Sequence, residues 1–229
     1  MNPIVKILIL ADFFLFFGLG LIQPILAVFV KDELRGGTLA AAGLAATVYL
    51  VTQAVLQIPI ARFADREEGK VREFWTLTAG YFLIALIPFL YYFIESVRQL
   101  YAVQVLYGVG AALSWPGWMA IFAKFADHKH AAFSWSLHST TILLSMAVAA
   151  TVGGFVGETY GFRALFLGVG VLTFLGFFTT VGLALFYEEL KMVNPPGMKS
   201  LSERFVQVVL RHKHPPMPPT APPGQMPPK

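Results

Sequence analysis

Apolar residues gather in six long runs, roughly 4–30, 39–60, 74–94, 100–123, 131–157 and 164–187. Each is about 20 residues or longer, enough for a helix to cross about 30 Å of hydrocarbon. The pattern predicts an all-α integral membrane fold of six transmembrane helices, with residues 1–190 as the membrane domain. The first run is about twice as long as the apolar core of a cleaved leader and contains Asp12, so it is expected to stay as a span.

Between the second and third runs lies a dense island of charge, residues 59–74, in which eight of sixteen positions are Asp, Glu, Lys or Arg. Charge is costly in hydrocarbon, so the island is expected to be a short loop at a membrane surface.

Composition agrees with the pattern: 56% of residues are hydrophobic and 13% charged, too apolar for a chain whose solvent is water. Without cysteine there is no disulfide to consider. The net charge of +4 matters by position. Lys6, Arg62, Arg66, Lys70, Arg72, Lys124, Lys129 and the six cations after residue 190 fall on one side; Lys31, Arg35, Arg98 and Arg163 fall on the other. Cations mark the cytoplasmic side. Both termini are therefore expected there, in a multi-pass protein of the cytoplasmic membrane of a prokaryote.

Shifting the sequence by 92 residues sets Gly18 on Gly110, Leu21 on Leu113, Pro24 on Pro116, Phe63 on Phe155, Gly69 on Gly161 and Phe74 on Phe166, with no gap. Asp12 falls on Gln104. Three crossings reverse direction, so the second copy is inverted, an arrangement found in transporters. General similarity of apolar helices is the alternative. Run two carries Ala40, Ala41, Ala42, Gly43, Ala45 and Ala46, and run five Ala147, Ala149, Ala150, Gly153, Gly154 and Gly157. These suit close helix approach in lipid. Runs three and six, rich in Phe, Leu and Tyr, are expected to face lipid. Residues 191–214 read as a cytoplasmic amphipathic helix, opened by Ser200 and Glu203, lying on the membrane surface or free in water. Residues 215–229, with eight prolines, read as a disordered tail.

Six spans, the inverted repeat and the charged island resemble one six-helix half of a major facilitator superfamily transporter. Ala61, Asp65, Arg66, Gly69, Lys70 and Arg72 stand at the positions of the family's loop motif. Ala61 replaces its first glycine, Gly69 comes one residue late, and Val71 interrupts the basic pair. Gln23-Pro24, Tyr107-Gly108-Val109-Gly110 and Gly153-Gly154-Phe155 add to the likeness. The family's antiporter motif is missing, with Ala149-Ala150 in its place. The resemblance implies a second six-helix unit, another copy of this chain or a different polypeptide.

Asp12 is the acidic residue well inside an apolar run, and an intramembrane carboxyl is a functional candidate by default. It serves either as a proton-coupling group or as a hydrogen-bonded tie between helices. His138, at a similar depth in run five, is its candidate partner, since imidazoles exchange protons near neutral pH; packing is its alternative role. Tyr49, Gln53 and Gln57 share one face of run two at i, i+4, i+8 spacing. With Gln23, Tyr107, Ser114 and Trp115 they form the expected substrate cavity. Asp65, Arg66, Gly69, Lys70 and Arg72 form an expected cytoplasmic latch, in which Asp65 meets the start of run five in a second protomer.

No nucleophile–base pairing, metal-ligand spacing or phosphate loop stands out, so no enzyme activity, cofactor or metal is expected. The expected partners are the lipid bilayer, a second copy of the chain, a small organic solute and protons, with no nucleic acid. The leading expectation is alternating-access transport by a homodimer. Its rivals are a non-transporting membrane scaffold and one half of a heterodimeric transporter.

Overall fold

The computed structural model describes residues 1–65 and 72–186. Arg66, Gly69 and Lys70, and the segments 191–214 and 215–229, lie outside the described residues. The described chain forms helices α1 (Pro3–Ile22), α2 (Leu26–Glu33), α3 (Leu39–Ala64), α4 (Arg72–Phe93), α5 (Val97–Phe125) and α6 (Ala131–Val181).

The helix starts are set locally. Asn2 Oδ1 accepts the Ile4 N–H at 2.8 Å with Pro3 in the first turn, and Thr38 Oγ1 accepts the Ala41 N–H at 3.0 Å. Ser96 and Gln99 cap α5 reciprocally. α6 has 51 residues, about 76 Å at 1.5 Å per residue, far more than one crossing needs. It is broken at Gly161, where φ is 80° and ψ 166°, backbone that side chains with a Cβ avoid.

Contacts along α1 show that the chain reverses there. In segment 131–160, His138 meets Asp12 and Gly153 packs on the Leu21 backbone; in segment 162–181, Thr173 meets Gly18 and Gly176 packs on Ala11 and Leu15. The first segment climbs α1 and the second descends it, which gives six crossings among the described residues.

α1 packs on both segments of α6, α5 packs on α3 and α4, and α4 packs on α6. Buried side chains fall into two apolar clusters. One gathers the start of α1 (Ile4, Leu8), the start of α4 (Phe74, Leu77), the end of α5 (Trp118, Phe122) and Leu183. The other gathers the end of α1 (Leu21), α2 (Phe29, Val30), the end of α4 (Ile87, Tyr91), the start of α5 (Leu100) and Phe166. They lie toward opposite ends of the helices.

Three expectations need correction. The first apolar run is two helices, because Pro24 has no N–H to continue the ladder and α1 ends before it. Pro116, its partner in the repeat, lies inside α5; there the chain beyond it is held by buried Trp118, Ile121 and Phe122, whereas α2 buries only Phe29 and Val30. Run three, expected to face lipid, is mostly buried in the bundle, with only Trp75, Phe82 and Phe93 among its large apolar side chains exposed. In its most apolar stretch α4 is 61% buried, through Phe74, Leu77, Tyr81, Ile84, Pro88 and Tyr91, whereas α3 is 11% buried. Aromatic and aliphatic side chains serve equally against protein and against lipid, so their abundance does not tell the two apart. Run six is two-faced, with Leu165, Phe166, Val169 and Thr173 buried and Leu167, Val171 and Phe178 exposed.

Candidate functional site

Asp12 lies in the middle of α1 and is 4% exposed. Both carboxylate oxygens are engaged. The Tyr81 hydroxyl, from α4, donates to Oδ1, and His138 Nε2, from α6, lies 2.6 Å from Oδ2. One buried acid thus ties three helices, and the same bond joins two groups able to exchange a proton. Buried this deeply, a hydrogen bond is stronger than its counterpart in water. Aromatic rings enclose the imidazole. Trp118 lies 4.4 Å from it between ring centroids, Phe122 5.6 Å and Trp135 6.5 Å. Among the described residues the Trp118 indole N–H is buried without a hydrogen-bond partner.

Asp12 also lines a cavity of about 350 Å³ between α1, α3, α4 and α5. Of the residues expected there, Tyr49, Gln53, Tyr107, Ser114 and Trp115 line it, joined by Phe16, Tyr81 and Trp118. Tyr49 and Tyr107 stack with centroids 4.3 Å apart, where Gly108 lets the α3 backbone come so close that a Cβ would lie 2.7 Å from Tyr49 O. Gln53 reaches Gln57 at 3.4 Å, and Gln57 itself stands outside the lining. Gln23 lines a second cavity, described below. Volumes of this order hold a small organic molecule.

The expected latch is only partly within view. Asp65 is exposed at the end of α3, its backbone N–H bonded to Ala61 O. Arg72 folds back on Phe63, with Cζ 4.8 Å from the ring centroid and Nη1 3.3 Å from Phe63 O. Across the same end, Lys124 Nζ and Glu73 Oε1 pair at 2.6 Å, joining α5 to α4. At the entry to α6, Asp127 accepts the Lys129 N–H at 2.9 Å and pairs with His130 at 2.8 Å. The His130 hydrogen bond, then the Lys129 N–H, hold the Asp127 carboxyl below the usual carboxylate range.

Two site residues escaped the sequence reading. Tyr81 was hidden in a run taken to face lipid, yet positions 74, 77, 81, 84, 88 and 91 repeat at helical spacing and mark a buried stripe. Trp118 lies one turn beyond Ser114 on the same face of α5.

Comparison with known proteins agrees with this architecture. Residues 8–219 match the Major Facilitator Superfamily. The Multidrug resistance protein 1 of Bacillus subtilis is 24% identical over 159 residues, covering 69% of this chain and 39% of that protein. The Quinolone resistance protein NorA of Staphylococcus aureus is 25% identical over 182 residues, covering 79% and 45%. Among solved structures, the POT family transporter PepTSo, crystallised in meso, superposes with a TM-score of 0.70 at 15% identity, covering 87% of this chain and 40% of that one. The chain spans about two-fifths of the length of these relatives. With its membrane-length helices matched along almost their whole extent, the chain belongs to the Major Facilitator Superfamily.

Proposed function

We propose that this protein moves a small organic solute across the membrane by alternating access, with proton binding at Asp12 and His138 coupled to solute movement. The observation that carries this reading is the Asp12 carboxylate, held by Tyr81 and His138 in the wall of a cavity inside a bundle of spans. A purely structural tie has no need of a cavity at its side. The lining, mainly aromatic with a few hydrogen-bonding groups, suits a solute with an apolar body and one or two polar functions. The multidrug and quinolone resistance named for the relatives adds weight to a solute of that kind.

In this reading the cavity works between an inverted pair of three-helix units. The packing supports the repeat. Gly18 meets segment 162–181 at Val169, Leu172 and Thr173, and Gly110 meets α4 at Gly80, Leu83 and Ile84. Adding 92 to Gly80 gives Leu172, one of the residues that Gly18 meets.

The wall of the cavity formed by α3 is exposed, with Leu50, Val55 and Ile58 open beside Gln53 and Gln57. A second six-helix unit covers this face in our reading. We take it to be a second copy, related by a two-fold axis along the membrane normal, with Asp65 of each copy against the first turn of α6 in the other, where the helix end favours an anion. Both termini then lie on the cytoplasmic side.

Uptake into liposomes tests the central step. Asp12→Asn is expected to abolish uptake driven by a pH gradient while sparing binding of an uncharged solute, and His138→Ala to have a milder effect. Full gradient-driven uptake by Asp12→Asn would reduce Asp12 to a tie between helices. Native mass in lipid tests the pairing: a species of one chain at every lipid ratio overturns the homodimer. Spectroscopic distances across the cytoplasmic face, unchanged by Asp65→Asn, would overturn the latch.

A further inference from the structure

The 92-residue repeat pairs Asp12 with Gln104, and the proposed function uses only the first of them. Gln104 lies toward the start of α5, 3% exposed, and its Nε2 donates to the Tyr91 hydroxyl at 3.0 Å. That bond spends only part of what the two groups offer. An amide has two N–H donors and an oxygen acceptor, and a phenol both donates and accepts. Among the described residues no second hydrogen bond to either group is seen, and Tyr49 and Tyr107 are the electrostatic neighbours of the Tyr91 hydroxyl. Whichever way the amide is turned, the pair keeps an unspent donor and an unspent acceptor.

Gln104 and Tyr91 line a separate cavity of about 400 Å³. Its other walls are mostly apolar, including Ile22, Leu26, Ile87 and Met146, with the exposed Gln23 amide as a further polar group. The cavity contains no ionisable acid or base apart from its tyrosines, and so differs from the one at Asp12. The two cavities share Phe16, Leu19, Tyr49 and Tyr107 and nothing else. The two cavities thus adjoin along these four residues, where the stacked Tyr49–Tyr107 pair forms a ridge from α3 and α5, held by the close backbone contact at Gly108.

We propose that the Gln104–Tyr91 cavity is a second, charge-free solute station, the inverted-repeat counterpart of the Asp12 station on the other side of the Tyr49–Tyr107 ridge. It takes a neutral molecule with an aromatic or otherwise apolar body and a function that both donates and accepts a hydrogen bond, such as a carboxamide. Unpaired polar groups in an apolar wall favour a ligand that completes them over one that does not. A cation has no counter-charge here and belongs at Asp12. The proposal rests on the reading that this face of the bundle receives solute.

Two probes with one ring system separate the stations: 2-naphthamide, neutral with a carboxamide, and 2-naphthylmethylammonium, a cation. Binding of each is measured to the full chain in lipid nanodiscs, with empty nanodiscs subtracted. Gln104→Leu is expected to weaken 2-naphthamide at least tenfold and leave the cation unchanged; Asp12→Asn is expected to do the reverse. Should Gln104→Leu fold poorly, Ala46→Trp fills the same cavity from an exposed position on α3 and is expected to exclude 2-naphthamide alone. Absence of 2-naphthamide binding, binding indifferent to both Gln104→Leu and Ala46→Trp, or loss of both probes in every variant overturns the second station. Uptake is scored separately. Gln104-dependent binding without uptake sinks the transport reading and leaves the station standing, and normal uptake with no such binding sinks only the station.

Discussion

α3 and α4 follow one another in the chain and are close in length, 26 and 22 residues, yet they meet opposite surroundings. α4 is wedged between α5 and α6, with its stripe from Phe74 to Tyr91 buried; α3 touches the bundle along a narrow line through Ala41, Ala45 and Thr52 and turns Leu44, Val51 and Val55 outward. The small residues of α3 therefore do not signal burial within this unit. Only Ala41 and Ala45 of its Ala and Gly series are buried, while Gly43 has nothing within 4 Å of a built Cβ. α4 comes closer to α5 than α3 does: a Cβ on Gly80 would lie 2.5 Å from Ser114 N and 2.6 Å from Gly110 O, against 2.7 Å from Tyr49 O for one on Gly108.

That contrast is breakable at the two glycines. Gly80→Leu is expected to cost about 3 kcal/mol or more, since neither backbone neighbour can yield without parting the helices. Gly43→Leu is expected to stay within about 0.5 kcal/mol. Urea or SDS unfolding in matched micelles compares them, and equal losses would mean that α3 is packed as tightly as α4.

A smaller effect is expected where α4 meets α5 at the charged end. Lys124→Met leaves Glu73 half-buried without its partner, for an expected loss of about 1–2 kcal/mol, between the values for exposed and fully buried pairs. Unfolding of Lys124→Met beside Glu73→Gln/Lys124→Met checks it, the double variant recovering part of the loss. No recovery would show that the pair is a surface contact only.

The smallest effect belongs to the exposed turn before α6. The folded state holds the Asp127 carboxyl below its ordinary 3.8, so its contribution is full above that value and is lost as the pH falls through the lowered one. The melting temperatures of the parent and Asp127→Ala are expected to differ slightly at pH 7 and to converge in acid. A constant gap across that range would assign the effect to capping by shape alone.

The six spans were legible because runs of membrane length between charged loops have few other readings. Asp12 and His138 were legible for a related reason: a polar group inside such a run needs a partner, and equal depth on two helices makes one available. Tyr81 was not, since a tyrosine reads as apolar until its hydroxyl is known to be buried. The facing of α3 and α4 was hidden for the reason already met at α4: lipid and protein interiors ask for the same side chains. The separate α2 was masked by hydrophobicity that continued past Pro24, and its proline twin at 116 gave no warning, because the packing beyond each proline decided whether the helix resumed.

The break at Gly161 has a consequence for how the chain enters the bilayer. A single non-helical residue joins two crossings that run in opposite directions, so no length of loop exists on which one crossing can wait for the other. The two are therefore expected to insert together, as one helical hairpin. Once in place they share Gly161 as one pivot, with His138 on one arm and Thr173 on the other.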